Sequence, residues 1–390
     1  MRVVVVGGGA FGVSAAIELR QRGHEVLVVD PGPLPHPDAA SSDLSKLVRC
    51  DYGADELYTK AMELALGRWR EWNAGWVRAG GRALFHETGF LLLSSEPFAA
   101  GSFEFDSHAL LSARGHLLER FDERTLVKRF PVLKGNRFVD GYRNPLGGWA
   151  ESGAVMVAET ERARALGVVF EEGFRLQELS EFGGRVVGVR STAGRLLEAD
   201  SVVLATGTWT QKLLPELQNR LRSSGQPVFV FRPAAPALFA APAFLPWAAD
   251  MGRTGWYGFS ATADGLVKVA NHGAGRHEDP DAPRQVAPAD ESRFRAFLRG
   301  ALPSLAEASL AFTRLCFYSD MFDGDFLIDR HPERLGLVVA TGDSGHAFKF
   351  MPVLGEWIAD AVEGRDPAFG HRFCWRELGL PDGEQGRCRE

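Results

Sequence analysis

The stretch MRVVVVGGGAFGVSAAIELRQRGHEVLVVD, residues 1–30, decides the fold. Arg2 to Val6 is an apolar, β-branched run, Ala10 to Arg22 carries helical spacing, and Glu25 to Asp30 is a second β-branched run. Strands that are apolar on both faces need helices to cover them, so the pattern reads as the opening βαβ unit of a parallel sheet. Between strand and helix stands Gly7-x-Gly9-x-x-Gly12. The first glycine permits a tight turn, the second lets backbone approach a pyrophosphate, and the third allows close helix–strand packing. Phosphate then sits at the positive end of the helix. Asp30 closes the second strand about 20 residues further on, where a ribose-binding acid belongs. The motif predicts a dinucleotide without separating FAD from NAD; its bland alternative is a tight structural turn.

At 390 residues the chain exceeds what one core usually serves, which favours two domains. A content of 45% hydrophobic and 24% charged residues is that of a soluble globular protein, and no apolar run approaches the roughly 20 residues that span a bilayer. The N-terminal run is too short for a signal segment and ends in glycines. A net charge of −6 offers no footprint for nucleic acid. Cys50, Cys316, Cys374 and Cys388 have no C-x-x-C spacing, so neither a disulfide framework nor a zinc site is expected, and a reducing, cytoplasmic setting is.

Further along, helices are expected from Asp55 to about Trp72, Ala154 to Leu166, Glu291 to Leu302 and Phe348 to Glu363, with strands in FLLLS, GVVFEEG, RVVGVRS, ADSVVLA, VFVFRP, LVKVAN and LAFTRLCFYS. The alternation predicts an α/β protein of two interleaved domains. Residues 1–84, 145–225 and 315–375 would form the nucleotide domain, 85–144 and 226–314 a mixed-sheet substrate domain, and 376–390 a tail. Substrate specificity is expected in a cavity lined from segments 85–145 and 226–260.

Four blocks carry more information than the glycines: SSDLSKLVRCDYG (41–53), NPLGGWAESGAVM (144–156), CFYSDMFDGDFLID (316–329) and ATGDSGHAFKFMPVLGEWIADAVEG (340–364). In this order they resemble the D-amino-acid-oxidase-like FAD amine oxidases, in the branch of monomeric sarcosine oxidase, pipecolate and saccharopine oxidases and fructosyl amino acid oxidases. The resemblance implies a two-domain, glutathione-reductase-like FAD fold with a Rossmann-like βαβ unit. It implies FAD bound by Gly7, Gly9, Gly12, Asp30, Ser45, Lys46, Gly342, Gly345 and Lys349, and carried on Cys316 by a thioether to the flavin 8α-methyl. Since a thiolate attacks, neighbouring cations should favour that bond. A packed strand cysteine is the alternative.

Oxidising a C–N bond needs an anchored carboxylate, a neutral amine and a hydride acceptor. The resemblance maps the anchor onto Arg49, a planar fork, and Lys349, a point charge. It places Lys46 against the flavin and gives Lys268 the task of stabilising charge that develops on dioxygen. His272 and His346 fall at active-site positions that tune polarity or the amine's protonation, and Tyr257 and Tyr318 form an aromatic cage. Lys46 stands where many sarcosine oxidases have Arg, while His346 stands where some fructosyl oxidases have Arg. Asp323, Asp325 and Asp329 lack the glycine and glutamate of a calcium loop, so flavin-side hydrogen bonding and turn formation are expected of them, and no metal. The expected activity is oxidation of a secondary amino acid, with imine and hydrogen peroxide as products. The alternatives are a fructosyl amino acid oxidase, a flavin dehydrogenase or desaturase, and an NAD enzyme or nonenzymatic nucleotide-binding module using only the Gly7 turn.

Overall fold

In the computed structural model, residues 1–367 and 370–377 are described; Cys388 and most of the expected tail lie outside them. The N-terminal reading holds. Strand Arg2–Val6, helix Ala10–Gln21 and strand Glu25–Asp30 form the βαβ unit, and the two strands pair in parallel. They are the centre of a six-stranded sheet ordered Leu327–Arg330, Leu337–Thr341, Ser201–Leu204, Arg2–Val6, Glu25–Asp30, Val169–Glu172, parallel apart from the Leu327–Arg330 edge. Helices Ala10–Gln21, Ser152–Ala165 and Met351–Glu363 share a core with Val3, Val5, Val26 and Val28 on one face, while Val4, Val6 and Val29 pack on the other with Val186, Val189 and Leu197, which is why the sheet's strands are apolar on both faces.

A second, nine-stranded sheet is mostly antiparallel. Its spine is the pair Leu221–Arg232 and Ser309–Met321, joined by Val267–Asn271, Trp256–Gly258, Trp247–Ala249, Phe90–Ser94 and Asp140–Asn144. The expected domain boundaries at 225/226 and 314/315 fall inside that spine, where Gln226 faces Cys316. A small sheet of Lys46–Arg49, Gly147–Ala150 and Phe85–His86 stands between the two large ones in sequence and supplies cations to the site.

The expected helices form with shifted ends. The second runs Glu56–Arg78, capped by Asp55, whose carboxylate accepts the Tyr58 N–H at 3.0 Å. The last begins with a 3₁₀ turn, Ala347–Phe350, before Met351–Glu363. Trp69 Nε1–H donates to the Lys349 carbonyl at 2.7 Å, so the long helix fixes the turn that carries Lys349.

Candidate active site

Two cavities meet at a common wall. The larger, about 330 Å³, runs from the glycine turn to Phe348; the smaller, about 60 Å³, is a chamber holding Arg49, His272, His346 and Lys349. Lys46, Tyr318, Gly345 and Phe348 line both.

The larger cavity fits a dinucleotide. A Cβ on Gly12 would lie 1.8 Å from the Gly7 carbonyl oxygen, whereas one on Gly9 meets nothing nearer than Ser41 Oγ at 3.8 Å. Gly12 is thus the packing glycine, and Gly9 leaves open space for a close ligand. Gly7 itself takes φ +103°. Asp30 is buried at the cavity edge, its oxygens accepting the N–H groups of Gly8 at 2.9 Å and Gly32 at 3.0 Å. Burial raises its pKa above the ordinary carboxyl value, against the pull of these two bonds. Ser41 Oγ, Thr208 Oγ1 and both terminal nitrogens of Arg284 line the same cavity buried and without hydrogen-bond partners, groups that a phosphate or ribityl chain would satisfy.

The chamber is cationic. Arg49 donates from Nη1 to the backbone carbonyl of Asp51 and lies over Tyr52, Phe90 and Phe103. Lys349 donates to the Tyr52 hydroxyl at 2.9 Å and to the His346 carbonyl at 3.0 Å. Burial, then the adjacent Arg49, push the Lys349 amine well below the usual lysine value. Lys46 and Arg49, three apart on one short edge strand, both line the chamber despite strand alternation. Tyr257 and Tyr318 bring their hydroxyls within 3.2 Å of each other on its wall, and burial raises Tyr257 above the usual phenol value.

His346 is fully committed. Its Nε2 lies 3.1 Å from the Gly324 carbonyl, so it carries the proton and donates there. Nδ1 then accepts from the Tyr52 hydroxyl at 3.1 Å, which itself accepts from Lys349. Burial, reinforced by Lys349, holds the imidazole well below its ordinary value and keeps it neutral. His346 therefore orients Tyr52 and Lys349 and has no nitrogen left to take a substrate proton. His272 lines the chamber with its ring 6.4 Å from that of Tyr318.

Other expected residues lie behind the wall. Lys268 is buried on strand Val267–Asn271 and lines neither cavity; its Nζ donates to Asp43 Oδ2 at 2.5 Å and to the Ser45 carbonyl at 2.6 Å. Ser45 presents its carbonyl to that lysine, and its hydroxyl is buried without a partner. Cys316 is 0% exposed among Val228, Val230, Leu266, Ala270 and Tyr318, with Ala40 and Leu44 against it. The next residues, Phe317 and Tyr318, line the cofactor cavity. Gly342 and Gly345 have φ +75° and +72°; a Cβ on Gly345 would lie 2.5 Å from the Tyr318 ring, so side-chain crowding at the shared wall also requires glycine.

Two expectations are corrected. Asp323 and Asp325 make the expected turn, Asp323 accepting the Asp325 N–H at 3.1 Å, but neither lines the cofactor cavity: they pair with Arg376 at 2.6 Å and Arg372 at 2.7 Å, and Asp329 accepts the Trp375 N–H. Of segments 85–145 and 226–260, only Met251 and Tyr257 line the chamber. Three residues escaped the sequence reading. Asp43 pairs with two lysines, Tyr52 links Lys349 to His346, and Asp343 lines the cofactor cavity. Burial pushes Asp343 up to about 6, while its oxygens accept the Ser319 and Gly345 N–H groups, each at 2.9 Å. All three stand inside quoted blocks, but each has polar neighbours, in SSDLSK, RCDYG and TGDSG, so no local signal singles it out.

The family model described as FAD dependent oxidoreductase (DAO) matches residues 2–361. The chain belongs to this family. Among similar members of the FAD dependent oxidoreductase family is L-saccharopine oxidase of Schizosaccharomyces pombe, 28% identical over 96% of this chain and 92% of that protein. Monomeric sarcosine oxidase of Bacillus sp. (strain B-0618) is 27% identical over 93% of this chain and 92% of its own. Fructosamine oxidase (Amadoriase II) of Aspergillus fumigatus, solved in complex with FSA, superposes with a TM-score of 0.83 at 26% identity, covering 98% of this chain and 90% of that one. The family and these likenesses make the chain an FAD-dependent amine oxidoreductase with the two-domain FAD-binding fold. Among the described residues, no helix is long and apolar enough to cross a membrane.

Proposed function

We propose that the chain oxidises the C–N bond of a secondary amino acid, N-alkylated or cyclic, and passes the electrons to dioxygen. The observation that carries this reading is the chamber: Arg49 and Lys349 face a small cavity that shares a wall with the dinucleotide cleft. A carboxylate held by that fork and point charge leaves the amine and its neighbouring carbon at the wall of Lys46, Tyr318 and Gly345. FAD in the cleft supplies the hydride acceptor.

The chain's own residues do the rest. Lys46 and Arg49 make the chamber electropositive, which lowers the basicity of a bound amine and favours the neutral form that oxidation requires. His346 and Tyr52 hold Lys349 in place. Tyr257, Tyr318 and Met251 line the chamber. The likeness to Amadoriase II keeps a fructosyl amine as the second reading. The relatives named for saccharopine, sarcosine and N-methyl-L-tryptophan support a secondary amine. In this reading Lys268 serves dioxygen and Cys316, beside the charges of Lys46, Lys268 and Arg284, carries the flavin as a thioether. The domain division and the cytoplasmic setting belong to the same proposal.

The test is a peroxide assay of the flavin-loaded protein with N-methylglycine, a cyclic secondary amino acid and a fructosyl amino acid, beside acid precipitation of wild type and Cys316→Ala. Peroxide from one of the first two, with flavin that precipitates only with wild type, is the expected result. Peroxide from the fructosyl compound alone would select the second reading. Substrate-driven bleaching without peroxide would indicate a dehydrogenase, and no response to any amine by yellow protein overturns the proposal.

A further inference from the structure

Behind the wall shared by the two cavities lies a buried carboxylate, Asp43. Its backbone is clamped: the carbonyl accepts Ser152 Oγ–H and the Gly153 N–H, each at 2.8 Å, at the start of helix Ser152–Ala165. Its Oδ1 accepts the Leu44 N–H at 2.7 Å. The remaining oxygen, Oδ2, receives two ammonium groups, Lys268 at 2.5 Å and Lys46 at 3.1 Å. The side chains of Asp43 and Lys268 are 2% and 1% exposed, and that of Lys46 is 16% exposed. Only Lys46 of the three lines the cavities. One carboxylate thus serves two lysines, one facing the cofactor and substrate and one buried behind them.

We propose that Asp43 is a positioning residue that couples Lys46 and Lys268 into one unit, and that it is what keeps the buried Lys268 charged. The proposal rests on the reading that Lys268 serves dioxygen, but it concerns the lysine's charge, which can be measured separately.

A buried ammonium persists only when paired. The charged and titratable groups facing Lys268 are Asp43 and Lys46 from the segment before and within strand Lys46–Arg49, and Cys316 from strand Ser309–Met321. Lys46 in turn faces Cys316, Asp43, Tyr257 and Arg314. Phe259 lends its ring face at 4.8 Å. Burial already brings Lys268 down to about 8 with Asp43 in place. Asp43 stays ionised: burial pushes its carboxyl up, but Lys268, then Lys46, more than reverse this. Without the carboxylate, Lys268 keeps a like-charged neighbour and loses its short ion pair, so it gives up its proton below neutrality. A neutral amine stabilises no charge on dioxygen.

The experiment compares flavin-loaded wild type, Asp43→Asn, Asp43→Glu, Lys268→Met and the Asp43→Asn/Lys268→Met double variant between pH 6 and 10. One readout is the absorbance of the bound oxidised flavin; the other is the rate at which dithionite-reduced protein is reoxidised by air. Wild type is expected to show a flavin titration near pH 8 that Lys268→Met lacks. In Asp43→Asn that titration moves down by more than one pH unit, and reoxidation at pH 7.5 slows at least threefold. Asp43→Glu restores part of the shift. If Asp43→Asn folds poorly, the double variant, which leaves no unpaired buried ammonium, is expected to recover stability, and Asp43→Glu then carries the titration. A titration unmoved in the Asp43 variants, no titration sensitive to Lys268→Met, or a double variant no more stable than Asp43→Asn overturns the proposal. Normal reoxidation by Lys268→Met alongside a shifted titration would instead remove the dioxygen role and leave the coupling intact.

Discussion

Arg49 and Lys349 meet a bound carboxylate differently, and substitutions should separate the two contributions. Arg49→Lys keeps the charge and loses the fork; Lys349→Met removes the charge. A hydrogen bond to a charged group is worth about 1.5–3 kcal/mol, so each variant should raise KM by roughly 10- to 150-fold, with a smaller effect on kcat, in steady-state assays. An unchanged KM in both would displace the carboxylate anchor from these residues. Gly12→Ala tests the dinucleotide cleft at the same scale. Its Cβ meets backbone 1.8 Å away, so the purified variant is expected to lose most of its flavin, read from the ratio of absorbance at flavin and protein bands. The sequence motif already singled out this glycine. It could not reveal that His346, at an expected active-site position, has both nitrogens occupied, because Tyr52 is 294 residues away.

At the scale of elements, the helix Glu56–Arg78 shows how far local pattern reaches. Asp55 and the apolar spacing that follows predict its start, and the structure agrees. The run WNAGWV weakens the helical signal after Trp72 through asparagine and glycine. The helix continues because Trp72 and Trp76 pack against the core and Trp76 Nε1–H donates to Glu159 at 3.1 Å, a contact made across the chain. Within this helix Gly67 has open space where a Cβ would stand. Gly67→Ala should therefore stabilise the fold by about 0.5–1 kcal/mol in denaturant titration, without altering kcat/KM. Loss of stability would show that the helix needs glycine there for packing.

On the scale of the whole molecule, substrate binding is coupled to protons. Lys349 is driven towards neutrality by burial and Arg49, and a substrate carboxylate favours its charged form. Binding should then take up a proton at a pH above the lysine's depressed value. The affinity of a simple carboxylate such as acetate for the flavin-loaded protein should fall as pH rises. Calorimetry in two buffers of different ionisation enthalpy measures the uptake, which Lys349→Met should abolish; equal apparent heats in both buffers for wild type would refute it. The chamber itself depends on the assembled molecule: Lys46 and Arg49 come from one small sheet, Tyr257 and His272 from the large sheet and its loop, and Lys349 from the turn before the last helix.

What the sequence determined by itself was local or nearly so. Alternating runs, the spacing of Gly7, Gly9 and Gly12, and Asp30 at a strand end specify a βαβ nucleotide unit, because backbone conformation and helix–strand packing depend on neighbouring residues. Four ordered blocks carried the family resemblance and most of the residues that meet at the two cavities. Tertiary structure decided which polar groups are buried together. Lys268 and Asp43 are 225 residues apart, and nothing near either residue announces that one carboxylate oxygen will serve two lysines. It also turned Asp323 and Asp325 towards arginines near the end of the described chain, away from the cofactor cavity. Charge state follows burial and partners, and both are fixed only when distant segments pack.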